Sequence, residues 1–290
     1  MHKKLMHRAL IVASVIVALS GALLAQPQQD RVITGIIGLD SLSLSGKSFI
    51  DSYDSSAPGG YKSSKSKDAI VVTNGEISFS GASGVNGHAL STRSGLALSG
   101  GSRITGVVSY STTIATSGGS VPTEAVRQTL PQLGAGVPGK CEGYPPAPAG
   151  PNAWIKGNFI YDAVRGDLVV VDGKSITIRG GAYCLNNIDL SAGSSLRVEG
   201  PVSVRLNGSI NLSAGSVINK NGRPSSFEVS SGGLSLSGHS EAFMTLFAPA
   251  SHAALSGGSA LYGALVTQTI AASGDSALHY DISLGNYVIP

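Results

Sequence analysis

The sequence has little charge, few aromatic residues and almost no cysteine. Charged residues make up 13% of the 290 residues and aromatic residues 6%, with one tryptophan and two cysteines. An apolar share of 42% nevertheless argues against intrinsic disorder. Runs of helix-forming residues are scarce, and the chain holds 39 glycines instead. These features favour a folded, all-β protein.

The first 25 residues have the three-part pattern of a secretory signal peptide. A short basic start precedes an apolar run over Ala9–Ala25, and polar residues begin at Gln26. Small residues at the end of the run indicate cleavage after Ala25, with cleavage near Ala22 as an alternative. A second alternative is an uncleaved membrane anchor, because the run has about the minimum length for a membrane span. We therefore predict an exported protein, either secreted or associated with the cell envelope.

The mature chain is predicted to carry no net charge. The leader contains three of the 20 basic residues and none of the 17 acidic residues, which leaves 17 of each. A neutral protein has no general attraction for nucleic acid or for anionic lipid. We therefore predict no nucleic-acid partner, and membrane contact only through the leader if it is retained.

The two cysteines, Cys141 and Cys184, are expected to form a disulfide bond. Both lie in the mature region of a chain that is predicted to reach an oxidising compartment. Two free thiols are the alternative, whereas a zinc site is poorly supplied because no pair of histidines lies nearby. We predict no metal and no cofactor.

A five-residue unit recurs along the mature chain: an apolar residue, a serine, a small residue, any residue and a serine. Within each half of the chain, successive units lie 17–24 residues apart, except for one step of 35 in the first half. The flanking segments alternate apolar and polar residues, which is typical of short strands with one buried face. The small third residue of each unit is predicted to form a tight corner; these residues are Gly46, Gly81, Gly100, Ala192, Ala214, Gly238, Gly257 and Gly274.

This period predicts a single-stranded parallel β-helix, or β-solenoid, with about 20 residues in each coil. Successive coils would stack about 4.8 Å apart, and Leu190, Leu212, Leu236 and Leu255 would form one column. A β-sandwich or jelly roll is the competing architecture. It does not explain why one unit returns about every 20 residues.

Residues 111–161 interrupt the repeat and contain seven of the thirteen prolines. We predict a Pro-rich excursion that packs on the flank of one solenoid domain spanning residues 26–290. Within it, residues 123–130 are predicted to form a short helix that ends before Pro131. A true domain boundary in this segment is the alternative.

No catalytic residue is predicted. The acidic residues of the repeat region do not recur at one position of the unit, although a polysaccharide lyase or hydrolase needs clustered carboxylates. His239 and Asp275, both at the variable fourth position, are interpreted as exposed corner residues. The run of His279, Tyr280 and Asp281 is interpreted as a polar cap over the open edge of the last coil.

Several short motifs resemble those of an uncharacterised family of exported bacterial domains. They include Leu42–Gly46, Ser52–Ser56, Gly200–Val202 and Leu278–Asp281, and the likeness spans most of the chain. The resemblance implies a right-handed β-helix that often follows a minor-pilin-like N-terminus, and it implies no catalytic residues. A pilin leader would carry an acidic residue just inside its apolar segment, and residues 9–25 contain none. Assembly into a pilus is therefore not inferred.

Three hypotheses about function follow. The first is a structural or adhesive solenoid of the cell envelope or extracellular space, with a cell-surface polysaccharide or a second copy of the chain as partner. The second is a carbohydrate-active β-helix enzyme. The third is an envelope subunit that polymerises end to end through its terminal coils.

Overall fold

The computed structural model describes residues 35–128, 132–134, 136–139, 141, 153–220 and 222–285. The predicted leader and its cleavage site after Ala25 lie outside these residues. Within the described part, no helix is both long and apolar enough to cross a membrane.

Strands dominate the described chain, which confirms the predicted all-β class. The first ten strands are β1 (Ile36–Leu44), β2 (Phe49–Tyr53), β3 (Ala69–Thr73), β4 (Glu76–Phe79), β5 (Gly84–Val85), β6 (Gly87–Ser91), β7 (Leu96–Leu98), β8 (Arg103–Tyr110), β9 (Ile114–Thr116) and β10 (Val121–Arg127). The next six are β11 (Ile155–Gly157), β12 (Ile160–Asp162), β13 (Asp167–Val170), β14 (Ser175–Leu185), β15 (Asn187–Leu190) and β16 (Ser195–Leu206). The last seven are β17 (Ser209–Leu212), β18 (Val217–Ile218), β19 (Phe227–Ser230), β20 (Gly233–Leu236), β21 (Glu241–Leu255), β22 (Ala260–Ala272) and β23 (Ala277–Asp281). One short helix, α1 (Tyr61–Ser64), and two 3₁₀ turns, at Pro224–Ser226 and Ile282–Leu284, complete the elements.

The predicted β-solenoid is confirmed by the strand register. The apolar first residues of the repeat units pair directly from coil to coil in parallel strands, and the column extends through ten layers: Val170, Leu190, Leu212, Leu236, Leu255, Ala272, Leu44, Phe79, Leu98 and Thr116. Nine spacings of about 4.8 Å give a rod roughly 43 Å long.

In seven of the eight units the corner is a tight turn with two left-handed residues, and in the unit of Gly81 only the glycine is left-handed. In the first unit, Gly46 and Lys47 have φ values of 61° and 72°, and the Ser48 amide donates to the Ser45 carbonyl at 3.2 Å. Positive φ at both central residues is the geometry of a type I′ turn. In seven other units the closing serine hydroxyl donates back to the carbonyl of the first serine at 2.6–2.7 Å. The closing serine hydroxyl therefore gives the carbonyl of the first serine a hydrogen bond in addition to that of the turn amide.

The eight predicted corner residues all have φ values between 52° and 65°. Equivalent corners lie directly on one another, so that a Cβ added to Gly100 would lie 2.8 Å from the amide nitrogen of Gly81. His239 and Asp275, at the next position, also have positive φ and are exposed. The corners therefore require glycine or a small residue both for their conformation and for their spacing.

The order of the coils in the rod differs from their order in the chain. The described chain starts in the middle of the rod and winds through β1–β10 to one end. After the excursion it winds from the opposite end through β11–β23, until its last described coil reaches the first. There β1 pairs with β22 and β2 pairs with β23. We call β1–β10 the upper half, β11–β23 the lower half, and the layer between them the junction.

The interpretation of His279, Tyr280 and Asp281 as a terminal cap is therefore wrong. These residues lie in β23, which is covered by β2 at the junction. The lower end of the rod is instead covered by β11 and β12, which pair antiparallel with β14 and β13.

The excursion between the halves is shorter than predicted. Strands β9 and β10 belong to the solenoid, and the predicted helix over residues 123–130 is wrong because residues 121–127 form a strand. Pairing of Val121–Arg127 with β8 of the preceding coil overrides the local helix signal. Among the described excursion residues, Leu133 packs against a small apolar cluster of Ile37, Val72 and Val266, and its backbone exchanges two hydrogen bonds with the Asn74 side chain.

Candidate functional site

The junction contains a buried cluster of aromatic and ionisable side chains, which we call the junction cluster. On one outward-facing column of the rod, Phe243, Tyr262, His279 and Asp51 occupy successive layers. The rings of Phe243 and Tyr262 stack with centroids 4.2 Å apart, and those of Tyr262 and His279 with centroids 4.4 Å apart. The stack therefore runs through the last three layers of the lower half and ends at a carboxyl group of the upper half.

Asp51 is the polar centre of this cluster. Its Oδ1 atom lies 2.5 Å from His279 Nδ1, and its Oδ2 atom accepts the Tyr61 hydroxyl at 2.8 Å. Asp51 and His279 are only 5% and 3% exposed. Because a buried polar group costs free energy unless it is hydrogen-bonded, these contacts make the cluster specific for this one arrangement of coils.

The loop between β2 and β3, residues 54–68, covers the cluster and corresponds to the 35-residue step of the repeat. It carries α1, whose Tyr61 ring lies 4.0 Å from the His279 ring and 5.2 Å from the Tyr262 ring, centroid to centroid. The Lys65 ammonium group lies 4.4 Å from the centre of the Tyr61 ring, a cation–π contact. We call this loop the cover loop, since it closes the cluster toward solvent.

A second buried carboxyl group lies beside the first. Asp281 Oδ1 accepts hydrogen bonds from the Ser55 amide at 3.0 Å and from the Ser283 amide and hydroxyl at 3.1 and 2.8 Å. Neither Asp281 Oδ2 nor the Tyr53 hydroxyl has a hydrogen-bond partner among the described residues. Tyr53 pairs with Asp281 across the junction. Several polar side-chain atoms that are shielded from water therefore lie in this one layer.

Burial controls the ionisation of the cluster. It lowers the pKa of His279, and the neighbouring Asp51 carboxyl opposes this shift. Burial is also the main cause that raises the pKa of Tyr53 and of Tyr61, and it raises that of Tyr262 to about 12. A carboxyl group that fixes an imidazole is an arrangement used in acid–base chemistry. Here the imidazole is almost completely enclosed, so the geometry best suits a clasp that joins the two halves.

Protonation of His279 should weaken the protein. Because its folded pKa lies below the unfolded value of about 6.5, the unfolded chain binds the proton more readily. The contribution of His279 to stability is therefore fully present above about pH 6.5 and is lost as the pH falls from there through the folded pKa. We expect the urea midpoint to fall between pH 7.5 and pH 5.5, and to fall less in His279→Gln, which keeps a donor for Asp51.

Part of this pH dependence of the urea midpoint will remain in His279→Gln, because burial also lowers the pKa of His88. The double variant with His88→Gln measures that part. An unchanged pH dependence of the urea midpoint in His279→Gln would contradict the role assigned to His279.

The structure joins Cys141 and Cys184 by a disulfide bond, with an S–S distance of 1.93 Å and a Cα–Cα distance of 5.3 Å. This confirms the predicted pairing. The bond attaches the excursion to β14 of the lower half.

The acidic residues considered for catalysis are spread over separate parts of the rod. Asp189 accepts from the Asn211 amide at 2.7 Å, Glu199 pairs with Lys156 at 3.1 Å, and Asp275 lies at an exposed corner. Among the described residues, no three His, Cys, Asp or Glu side chains are placed to hold a metal ion.

A second candidate surface is a flat outer side of the solenoid, which we call the flat face. Its central column has one outward residue in each layer, and none is larger than asparagine or valine: Val169, Asp189, Asn211, Ser235, Ala254, Ala271, Ser43, Ser78, Ala97 and Ala115. Parallel in-register strands place these short side chains in a straight row. The flat face therefore offers an even surface along the whole rod.

Sequence reasoning did not find the junction cluster. It singled out His279 and Asp281 but placed them at an end, and it did not single out Asp51, Phe243 or Tyr262. One signal was available: this outward strand position carries an aromatic ring or an imidazole in three successive coils, whereas Thr177 and Arg197 occupy it in earlier coils.

Comparison with known proteins adds one finding about the chain. Searches of curated proteins and of solved structures yield no match. Residues 162–287 match the family model of a domain of unknown function, DUF7305. The matched segment begins at the last residue of β12 and includes β13–β23, and so it corresponds to most of the lower half.

Proposed function

We propose that this protein is an exported structural or adhesive solenoid of the cell envelope or extracellular space, without catalytic activity, which binds a polysaccharide along its flat face. The flat face is the observation that carries the proposal. A row of short side chains roughly 43 Å long can contact an extended polymer over many sugar units without steric obstruction.

The polar part of the flat face supports a carbohydrate ligand. Asp189, Asn211 and Ser235 lie in consecutive layers of the lower half and present hydrogen-bonding groups in register. Sugar hydroxyls can both donate to and accept from such groups. Export is supported by the leader pattern and by the disulfide bond, since disulfides persist in oxidising compartments.

A bulky residue on the flat face should weaken this binding. We expect the purified mature protein to co-sediment with insoluble surface polysaccharide of the producing cell. Ala254→Arg should bind at least about tenfold more weakly, because the long side chain lifts the polymer off neighbouring layers. Ala182→Arg is the matched control, since Ala182 is also exposed but points outward from another side of the rod.

Equal binding by both variants would contradict the proposal. Release of soluble sugar by the wild-type protein would instead favour a carbohydrate-active enzyme, the second hypothesis.

End-to-end polymerisation is a second candidate, and one observation favours it. Strand β10 at the upper end exposes Val121 by 61% and Val126 by 38%, and among the described residues it pairs only with β8. An edge strand of this kind can pair with another chain. End-to-end polymerisation predicts that the light scattering of the wild-type protein grows steeply with protein concentration. In Val126→Lys the scattering should no longer grow in this way. Both results together would support polymerisation over a polysaccharide-binding monomer.

A further inference from the structure

We propose that the junction also forms between two copies of this chain, so that the upper half of each copy lies on the lower half of the other in a reciprocal, half-exchanged dimer. The partner is a second copy because each copy carries both complementary surfaces. The inference is independent of the ligand of the flat face.

The junction is the one layer of the described rod that joins coils far apart in sequence without a local chain connection. Seven residues of β1 pair with β22, and five of β2 pair with β23, across separations of more than 220 residues. The register and hydrogen-bonding pattern are those of the other layers. The same contacts therefore form equally well within one copy or between two.

The junction is also distinctive in its chemistry. Other layers stack mainly aliphatic residues inside and small residues outside, whereas this layer buries Asp51, His279 and Asp281. Two of its buried polar atoms, Asp281 Oδ2 and the Tyr53 hydroxyl, have no hydrogen-bond partner among the described residues. Buried polar groups of this kind make a layer specific but costly. The rod is therefore expected to open at this layer before it opens elsewhere.

The excursion supplies a suitable hinge between the halves. Leu133 is fixed to the upper half through Asn74, and it packs on a small apolar cluster of Ile37, Val72 and Val266, two of which belong to the upper half. Cys141 is fixed to the lower half by the disulfide. Three glycines lie between these two attachment points, and glycine permits the backbone changes that a hinge needs.

Chain length limits the geometry of the dimer. The eight residue steps from Leu133 to Cys141 span at most about 28 Å when extended. An exchanged chain must cross from one rod to the other within that distance. The two rods must therefore lie side by side with their excursion flanks facing, as a closed two-fold dimer and not as an open chain.

A cross-linking experiment on the full mature chain tests this arrangement. Ser43 and Ala271 are exposed neighbours across the junction, and Ala254 and Ala271 are exposed neighbours within the lower half. Two differently tagged chains, one with Ser43→Cys and the other with Ala271→Cys, are co-expressed and treated with a short bifunctional maleimide. The control pair carries Ala254→Cys on one chain and Ala271→Cys on the other.

We expect a covalent heterodimer from the 43/271 pair and none from the 254/271 pair, together with a species of twice the monomer mass in light scattering. The Ser43→Cys/Ala271→Cys double variant, with both thiols in one chain, verifies that the reagent spans the junction. Heterodimer from both pairs would indicate unspecific association of flat faces and would overturn the proposal. Cross-linking of the double variant within single chains only, with no heterodimer from either pair, would show a closed monomer and would also overturn it.

Discussion

Replacing Asp51 with alanine is expected to lower the free energy of unfolding by about 3–5 kcal/mol, the cost of removing one partner from a buried polar pair. The change leaves His279 Nδ1 and the Tyr61 hydroxyl without their shared acceptor in a layer that solvent barely reaches. Urea unfolding followed by tryptophan fluorescence and circular dichroism measures the loss. Limited proteolysis should also cut the cover loop, residues 54–68, faster, because Tyr61 no longer fixes it.

Asp40→Ala is the matched control for this prediction. Asp40 also lies in the first coil and accepts a hydrogen bond across the junction, from the Gln268 amide at 2.8 Å, but it is exposed. Because water replaces that bond, we expect a loss of less than about 1 kcal/mol. Equal losses of unfolding free energy in both variants would show that burial of the junction cluster does not increase the contribution of Asp51 to stability.

Replacing Leu212 with alanine is expected to cost about 2–5 kcal/mol, the range measured for large cavities in protein cores. Leu212 is fully buried and stacks between Leu190 and Leu236. Neighbouring coils cannot close the cavity, because inter-strand hydrogen bonds hold each layer about 4.8 Å from the next. Denaturant unfolding of the intact disulfide-bonded protein provides the measurement.

Ser235→Ala tests whether the effect comes from the core. Ser235 lies one residue before Leu236 but points outward onto the flat face and is exposed. A surface substitution of this kind is expected to change stability by less than about 0.5 kcal/mol. A loss for Ser235→Ala as large as that for Leu212→Ala would contradict the assigned sides of these strands.

The junction cluster illustrates why the functional reading of the sequence was incomplete. His279, Tyr280 and Asp281 stand out in the sequence, but their partners Asp51 and Tyr61 lie more than 210 residues earlier. A chain that ends in a coil normally needs a cap for its open edge, so an end position was the simplest interpretation. The first coil of the upper half covers that edge instead, so these residues form a buried contact between the halves.

The sequence by itself determined how the chain folds within each coil of the solenoid. Its alternating strands set which side chains face inward, and its pentads set the corners, because only glycine and a few small or polar residues readily take up consecutive left-handed conformations. The disulfide partners also followed from there being two cysteines. The sequence could not determine the order in which coils stack, because every coil presents nearly the same parallel edges to its neighbours. That order was decided only by tertiary contacts between distant residues, with Asp51 meeting His279 under Tyr61 and the excursion carrying the chain from one end of the rod to the other.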